Sequence, residues 1–71
     1  LRLARGLYGD TRSVGAGVVE LRLHFGPGYR VYFLQDRDSL VILLCGGDKG
    51  SQQRDIQLAH RLARQWREHH G

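Results

Sequence analysis

The 71-residue sequence predicts an α+β fold: an antiparallel meander of three strands or more packed against a C-terminal helix. Three observations carry this. Residues 18–36 alternate apolar and polar side chains on either side of Gly26-Pro27-Gly28, the period of two that marks half-buried strands joined by a tight turn. Residues 39–45 hold an unbroken run of Val, Ile and Leu of strand length. Residues 51–69 place Ile56, Ala59, Leu62, Ala63 and Trp66 at helical spacing, with most of the charges elsewhere on the helix.

A chain of this length makes one domain, 1–71, which buries only about 60% of its unfolded surface and depends on an efficient core or a partner. Its longest apolar run, Leu40 to Cys45, is far short of the roughly 20 residues that span a membrane. Nothing at the start resembles a secretion signal, so a soluble, cytoplasmic protein without membrane contact is expected. The single cysteine, Cys45, has no internal partner and reads as a small apolar strand residue, which suits a reducing compartment.

Ten of the eleven basic residues are arginine and the other is Lys49, in a chain of net charge +4 and pI about 10.0. Guanidinium groups bind phosphates through two parallel hydrogen bonds and stack on bases. The balance therefore points to nucleic acid or an acidic protein partner, against the plainer reading that arginines keep a small protein dissolved. The chain contains no methionine, even at position 1. A fragment, a processed product or a partial gene call is expected.

Taken in order, residues 1–5 are good helix formers too few to stand alone, and read as the last turn of a helix closed by Gly6. Residues 6–17 carry four glycines with Asp10, Thr11 and Ser13, which is loop chemistry, and Arg12 within them is a surface cation able to meet a phosphate. A strand over about 18–25 is expected to point Val19, Leu21, Leu23 and Phe25 into the core and Glu20, Arg22 and His24 to solvent. The Gly-Pro-Gly turn leads into a strand over about 29–36, with Tyr29, Val31 and Phe33 on one face and Arg30, Tyr32 and Leu34 on the other. Asp36-Arg37-Asp38 turns the chain into the apolar strand 39–45, which should be buried on both faces inside the sheet or under a helix. Ser51 is a reasonable N-cap for the final helix, and His69 and His70 suit its negative end.

Between that strand and the helix lies Gly46-Gly47-Asp48-Lys49-Gly50-Ser51. A glycine-rich turn at a helix start can offer backbone N–H groups to an anion, although the spacing is not that of a Walker loop. The meander brings Glu20, Arg22, His24 and Arg30 to one polar face, where Asp48 and Lys49 can join them. Cations to hold a charged phosphorus and a carboxylate or histidine to move protons are the parts of phosphodiester chemistry. The competing reading of the same alternation is a solvated sheet face. His60, His69, His70 and Cys45 do not make a zinc set of known spacing, and no Ser-His-Asp pattern is present.

ELRLHFGPGYRVYF, followed by VILLCGGDKGSQQRDI and an Ala- and Arg-rich helix ending in QWRE, resembles the RelE/ParE superfamily of type II toxin–antitoxin toxins. The likeness is greatest to the HigB-like branch, the addiction module killer proteins, and covers about residues 6–69. It implies an endoribonuclease that needs no metal or other cofactor and cleaves mRNA on the ribosome by 2′-hydroxyl attack until its cognate antitoxin silences it. By position, the catalytic set falls on Arg30, Glu20, Arg22, His24 and Lys49, and RNA contacts fall on Arg12, Arg22, Lys49 and Arg54. Relatives carry a tyrosine or histidine in the C-terminal region for proton transfer, where this chain has Gln53, Arg54 and Asp55. Either Glu20, ranked first as base, His24 or Asp55 takes that role, or this branch cleaves poorly. The family also has an N-terminal strand and a helical hairpin, and by this likeness the chain is expected to lack the strand and most of the hairpin, which would expose a sheet edge and open a route to dimers. Two alternatives stay open: a ParE-like toxin that inhibits gyrase without cleaving RNA, and a truncated, inactive toxin that only binds its antitoxin.

Overall fold

The computed structural model describes residues 9–24, 26–36 and 40–70. The helix remnant expected over 1–5 with Gly6, the Phe25 side chain and the turn at Arg37-Asp38 lie outside them. The chain forms β1 (Gly9–Ser13), β2 (Val18–Leu23), β3 (Arg30–Asp36), β4 (Leu40–Gly47), a short 3-10 turn (Lys49–Ser51) and α1 (Gln52–His70). The strands make one antiparallel sheet in the order β1-β2-β3-β4, and α1 packs on β4, β3 and β2. The expected α+β meander under a C-terminal helix is the observed one, enlarged by a strand.

Over Gly9–Ser13 that extra strand corrects the loop expected across 6–17, of which residues 6–8 lie outside the described ones. Asp10, Thr11 and Arg12 pair with Arg22, Leu21 and Glu20 of β2. At the end of the ladder the chain turns tightly, with Val14 N–H donating to the Val18 carbonyl at 3.0 Å and Val18 N–H to the Gly15 carbonyl at 2.9 Å. The second hairpin pairs Glu20 with Tyr32 and Arg22 with Arg30. Beyond it, Leu23 N–H reaches the Tyr29 carbonyl at 2.9 Å across the Gly-Pro-Gly turn.

Directly opposed residues in an antiparallel pair share a face. Val18, Glu20, Tyr32 and Leu34 therefore lie together, and this is the face α1 covers. Val18, Tyr32, Leu34, Ala59 and Ala63 form the buried core, with Ile56, Trp66, Ile42, Leu44 and Cys45 packed against it. Ala59 and Ala63, four residues apart, put two small side chains where the helix meets the sheet and let its backbone come close. His60 Nε2 donates to the Val14 carbonyl at 2.7 Å and ties the middle of the helix to the β1–β2 turn.

Two burial expectations are overturned. Glu20 was expected on the solvent face of β2, yet it is fully buried beneath α1, while Val19, Leu21 and Leu23 are half-buried on the opposite face. A period of two states that the faces differ without stating which one is covered, and Glu20 tolerates burial because both of its oxygens find donors. The apolar strand was expected to be buried on both faces. As β4 it is an edge strand with the helix on one side only, so Leu43 on the other side is 69% exposed. A register irregularity at Tyr32 and Phe33 sets Leu44 out of step and lets Leu44 and Cys45 both approach the helix side.

Candidate functional site

Where α1 begins, the sheet face it covers ends. Beyond the helix start, β2 and β3 run on uncovered into the Gly-Pro-Gly turn, and the space above them is a cleft of about 290 Å³. Its walls include Arg22 from the end of β2 and His24 just after it, Tyr29 just before β3 and Arg30 at its start, and Lys49 from the turn before the helix. The two arginines are opposed in the register. Gly28 holds φ +80°, and a Cβ there would stand 3.6 Å from Lys49 Cβ and 3.9 Å from Arg30 Nη1. The β2–β3 turn, Arg30 and Lys49 are thus immediate neighbours, and glycine supplies the left-handed backbone that closes the turn against them.

Arg30 is 8% exposed. Its Nη1 donates to the Gly28 carbonyl at 3.2 Å, and its Nε stands 3.7 Å from Glu20 Oε2 without any hydrogen-bond acceptor. Glu20 itself accepts from Arg12 Nε at 2.9 Å on Oε1. On Oε2 it accepts from Tyr32 Oη at 3.0 Å and Gln52 Nε2 at 2.9 Å. Burial alone would raise the Glu20 carboxyl, but hydrogen bonds from Gln52, Arg12 and Tyr32 and the Arg12 charge outweigh it and hold the group below the usual carboxylate range. Burial, followed by the hydrogen bond to Glu20, pushes the Tyr32 phenol upward, so it stays a donor. His24 Nε2 lies 3.5 Å from Asp10 Oδ2 at the exposed rim.

Of the sequence-derived candidates, Arg22, His24, Arg30 and Lys49 come together around the cleft. Glu20 lies behind its wall. Arg12 is half-exposed on β1 beside Glu20, and Arg54 is exposed in the first turn of α1; neither lines the cleft. Asp48 takes structural work instead: its Oδ1 accepts from Gly50 N at 2.9 Å and Ser51 N at 3.1 Å, and Ser51 completes a capping box. Asp48 thus caps the 3-10 turn that leads into α1, and its carboxylate takes up the N–H groups of Gly50 and Ser51. Asp55 is buried and receives the Ser51 hydroxyl, while its carbonyl faces Cys45 Sγ at 3.5 Å. Burial pushes the Cys45 thiol up, with the Asp55 charge adding to it. Asp10 beside His24 went unrecognised in the sequence, because only the unexpected strand β1 brings it there.

Among the described residues, no three of His, Cys, Asp and Glu converge as a metal ion would require, and no helix is long and apolar enough to cross a membrane. No solved structure matches the chain. An uncharacterized protein of Haemophilus influenzae is 52% identical over 64 residues, covering 90% of this chain and 65% of that protein. The chain thus spans just under two thirds of that relative's length. A family model described as phage-derived protein Gp49-like, DUF891, matches residues 5–65. The chain belongs to this Gp49-like family.

Proposed function

We propose that the chain is the toxin of a type II toxin–antitoxin pair and that it cleaves mRNA, on the ribosome, at the cleft between the Gly-Pro-Gly turn and the helix start. The observation that carries this reading is the meeting of Arg22, Arg30 and Lys49 around one cleft that also holds His24. Three cations around one cleft stabilise the extra negative charge that develops on a phosphodiester under attack, and they do so best where one of them is already desolvated, as Arg30 is. His24, with Asp10 beside it, takes the proton of the 2′-hydroxyl as its oxygen bonds to phosphorus. The bond from phosphorus to the 5′ oxygen breaks, and that oxygen takes up a proton from water in the open cleft. The products are a 2′,3′-cyclic phosphate and a 5′-hydroxyl. Asp10 steadies the imidazole that accepts the proton.

The family membership supports a toxin role, and the cognate antitoxin is the protein partner this reading requires. The test is induced expression of the chain beside its Arg30→Ala variant, with primer extension on cellular mRNA and growth curves. New RNA ends and growth arrest that vanish together in Arg30→Ala are expected. Growth arrest with no new RNA ends would overturn the reading in favour of gyrase inhibition. A folded chain that leaves both growth and mRNA untouched would leave antitoxin binding as its retained property.

A further inference from the structure

A carboxylate beside a phosphate-binding arginine is an electrostatic liability. Glu20 Oε2, at 3.7 Å from Arg30 Nε, offsets part of the charge that would meet an anion. It is also fully buried, which for a carboxylate is tolerable only with several donors. The structure provides one donor from each of three elements: Arg12 of β1, Tyr32 of β3 and Gln52 of α1. All its acceptor oxygens are thus engaged behind the wall of the cleft, which leaves it no path to a substrate hydroxyl.

We propose that Glu20 is the positioning residue of the cleft: its carboxylate gathers β1, β3 and the first turn of α1 onto one point and holds the Arg30 guanidinium in the cleft wall, between Oε2 and the Gly28 carbonyl. This rests on the ribonuclease reading for its catalytic consequence. A guanidinium already fixed when the phosphate arrives loses no side-chain freedom at the transition state, and a shift of about 1 Å in such a group costs about 100-fold in rate. Glu20 thereby acts through Arg30 and touches no reacting atom. A general base in the same position would instead need an oxygen open to the cleft.

The test compares the full chain with Glu20→Gln, which keeps the shape and removes the charge, in single-turnover cleavage of mRNA on programmed ribosomes across a range of pH. Glu20→Gln is expected to lower kcat by about 100-fold with KM little changed, and to leave the shape of the pH profile intact at reduced height. In an Arg30→Ala background the same substitution should cost almost nothing further, because the two act as a unit. The Arg30 Nε–Hε resonance is expected to stand apart from those of the mobile arginines in the wild type and to merge with them in Glu20→Gln. Loss of the acid limb of the pH profile would overturn positioning in favour of a base. Wild-type rates with an unchanged Arg30 resonance would overturn it outright. Gln52→Ala, which removes one donor from Oε2, covers the case in which Glu20→Gln does not fold; it should lower kcat several-fold and broaden the same resonance, and an unchanged rate and resonance would count against the proposal. If the wild type cleaves no RNA, the ribonuclease reading fails by itself, and the resonance still decides whether Glu20 holds Arg30.

Discussion

Gly47, the last residue of β4, sits where the sheet runs into the helix cap, and replacing it with alanine is a severe test of that junction. A Cβ at this position would overlap Asp55 Oδ2 and press on Ser51 Oγ, with Asp55 Cγ only 2.9 Å away. None of these can step aside cheaply: Asp55 is 8% exposed and receives the Ser51 hydroxyl. Overpacking of this kind costs about 1–3 kcal/mol, and losing the Ser51–Asp55 bond about 1 kcal/mol more. A domain of this size commands only about 5–15 kcal/mol in total, so Gly47→Ala should lower the Tm by roughly 10 °C or more. Urea unfolding is the assay, with the midpoint falling at constant slope. Gly50→Ala is the control, because its Cβ would meet only the exposed Asp48 Oδ1 at 3.3 Å and should cost less than about 1 kcal/mol. Equal stability of the two variants would refute the steric account of the junction.

Tyr32→Phe removes one of three hydrogen-bond donors to the buried Glu20 and should destabilise the chain by about 1–2 kcal/mol in the same urea assay. Because the Glu20 carboxyl is held below its ordinary value of 4.5, its stabilising contribution is complete above that pH and is lost as pH falls through the lowered value. Acid titration of stability should therefore show a limb below that pH that Glu20→Gln lacks; an identical acid limb in both proteins would count against the carboxylate network. His24→Ala should abolish cleavage by the purified chain while leaving RNA binding within about threefold, since the imidazole moves a proton and the cations supply the affinity. Cleavage at wild-type rate would remove His24 from the mechanism.

Much of the architecture was legible because its signals are local. The Gly-Pro-Gly turn, the alternation on either side of it and the stripe from Ile56 to Trp66 each name an element without reference to anything distant. β1 was not legible, because Gly9-Asp10-Thr11-Arg12-Ser13 has the composition of a loop and becomes a strand only through pairing with β2. The position of Glu20 was hidden for a related reason. Its three donors come from residues 12, 32 and 52, so nothing near residue 20 announces that a carboxylate can be buried there. Within the site, Arg22, Arg30 and Lys49 were readable as cations on neighbouring strand ends. Asp10 was not, since its place beside His24 depends on a strand the composition concealed. In the glycine-rich turn, the use of Asp48 was not legible either, because its hold on the N–H groups of Gly50 and Ser51 depends on the 3-10 geometry.

The nearest-neighbour order of the sheet has a kinetic consequence. Every pairing from β1 to β4 joins strands adjacent along the chain, so each hairpin closes a short loop at small entropic cost. The contacts that reach far along the sequence belong to helix docking: His60 to Val14, 46 residues apart, and Gln52 to Glu20, 32 apart. Relaxation after dilution from urea should therefore be limited by the docking of α1 onto a sheet already paired, and His60→Ala should slow refolding more than it speeds unfolding. Gln52 reaches Glu20 only in that docking step, so the carboxylate behind the cleft acquires its full set of donors at the end of folding.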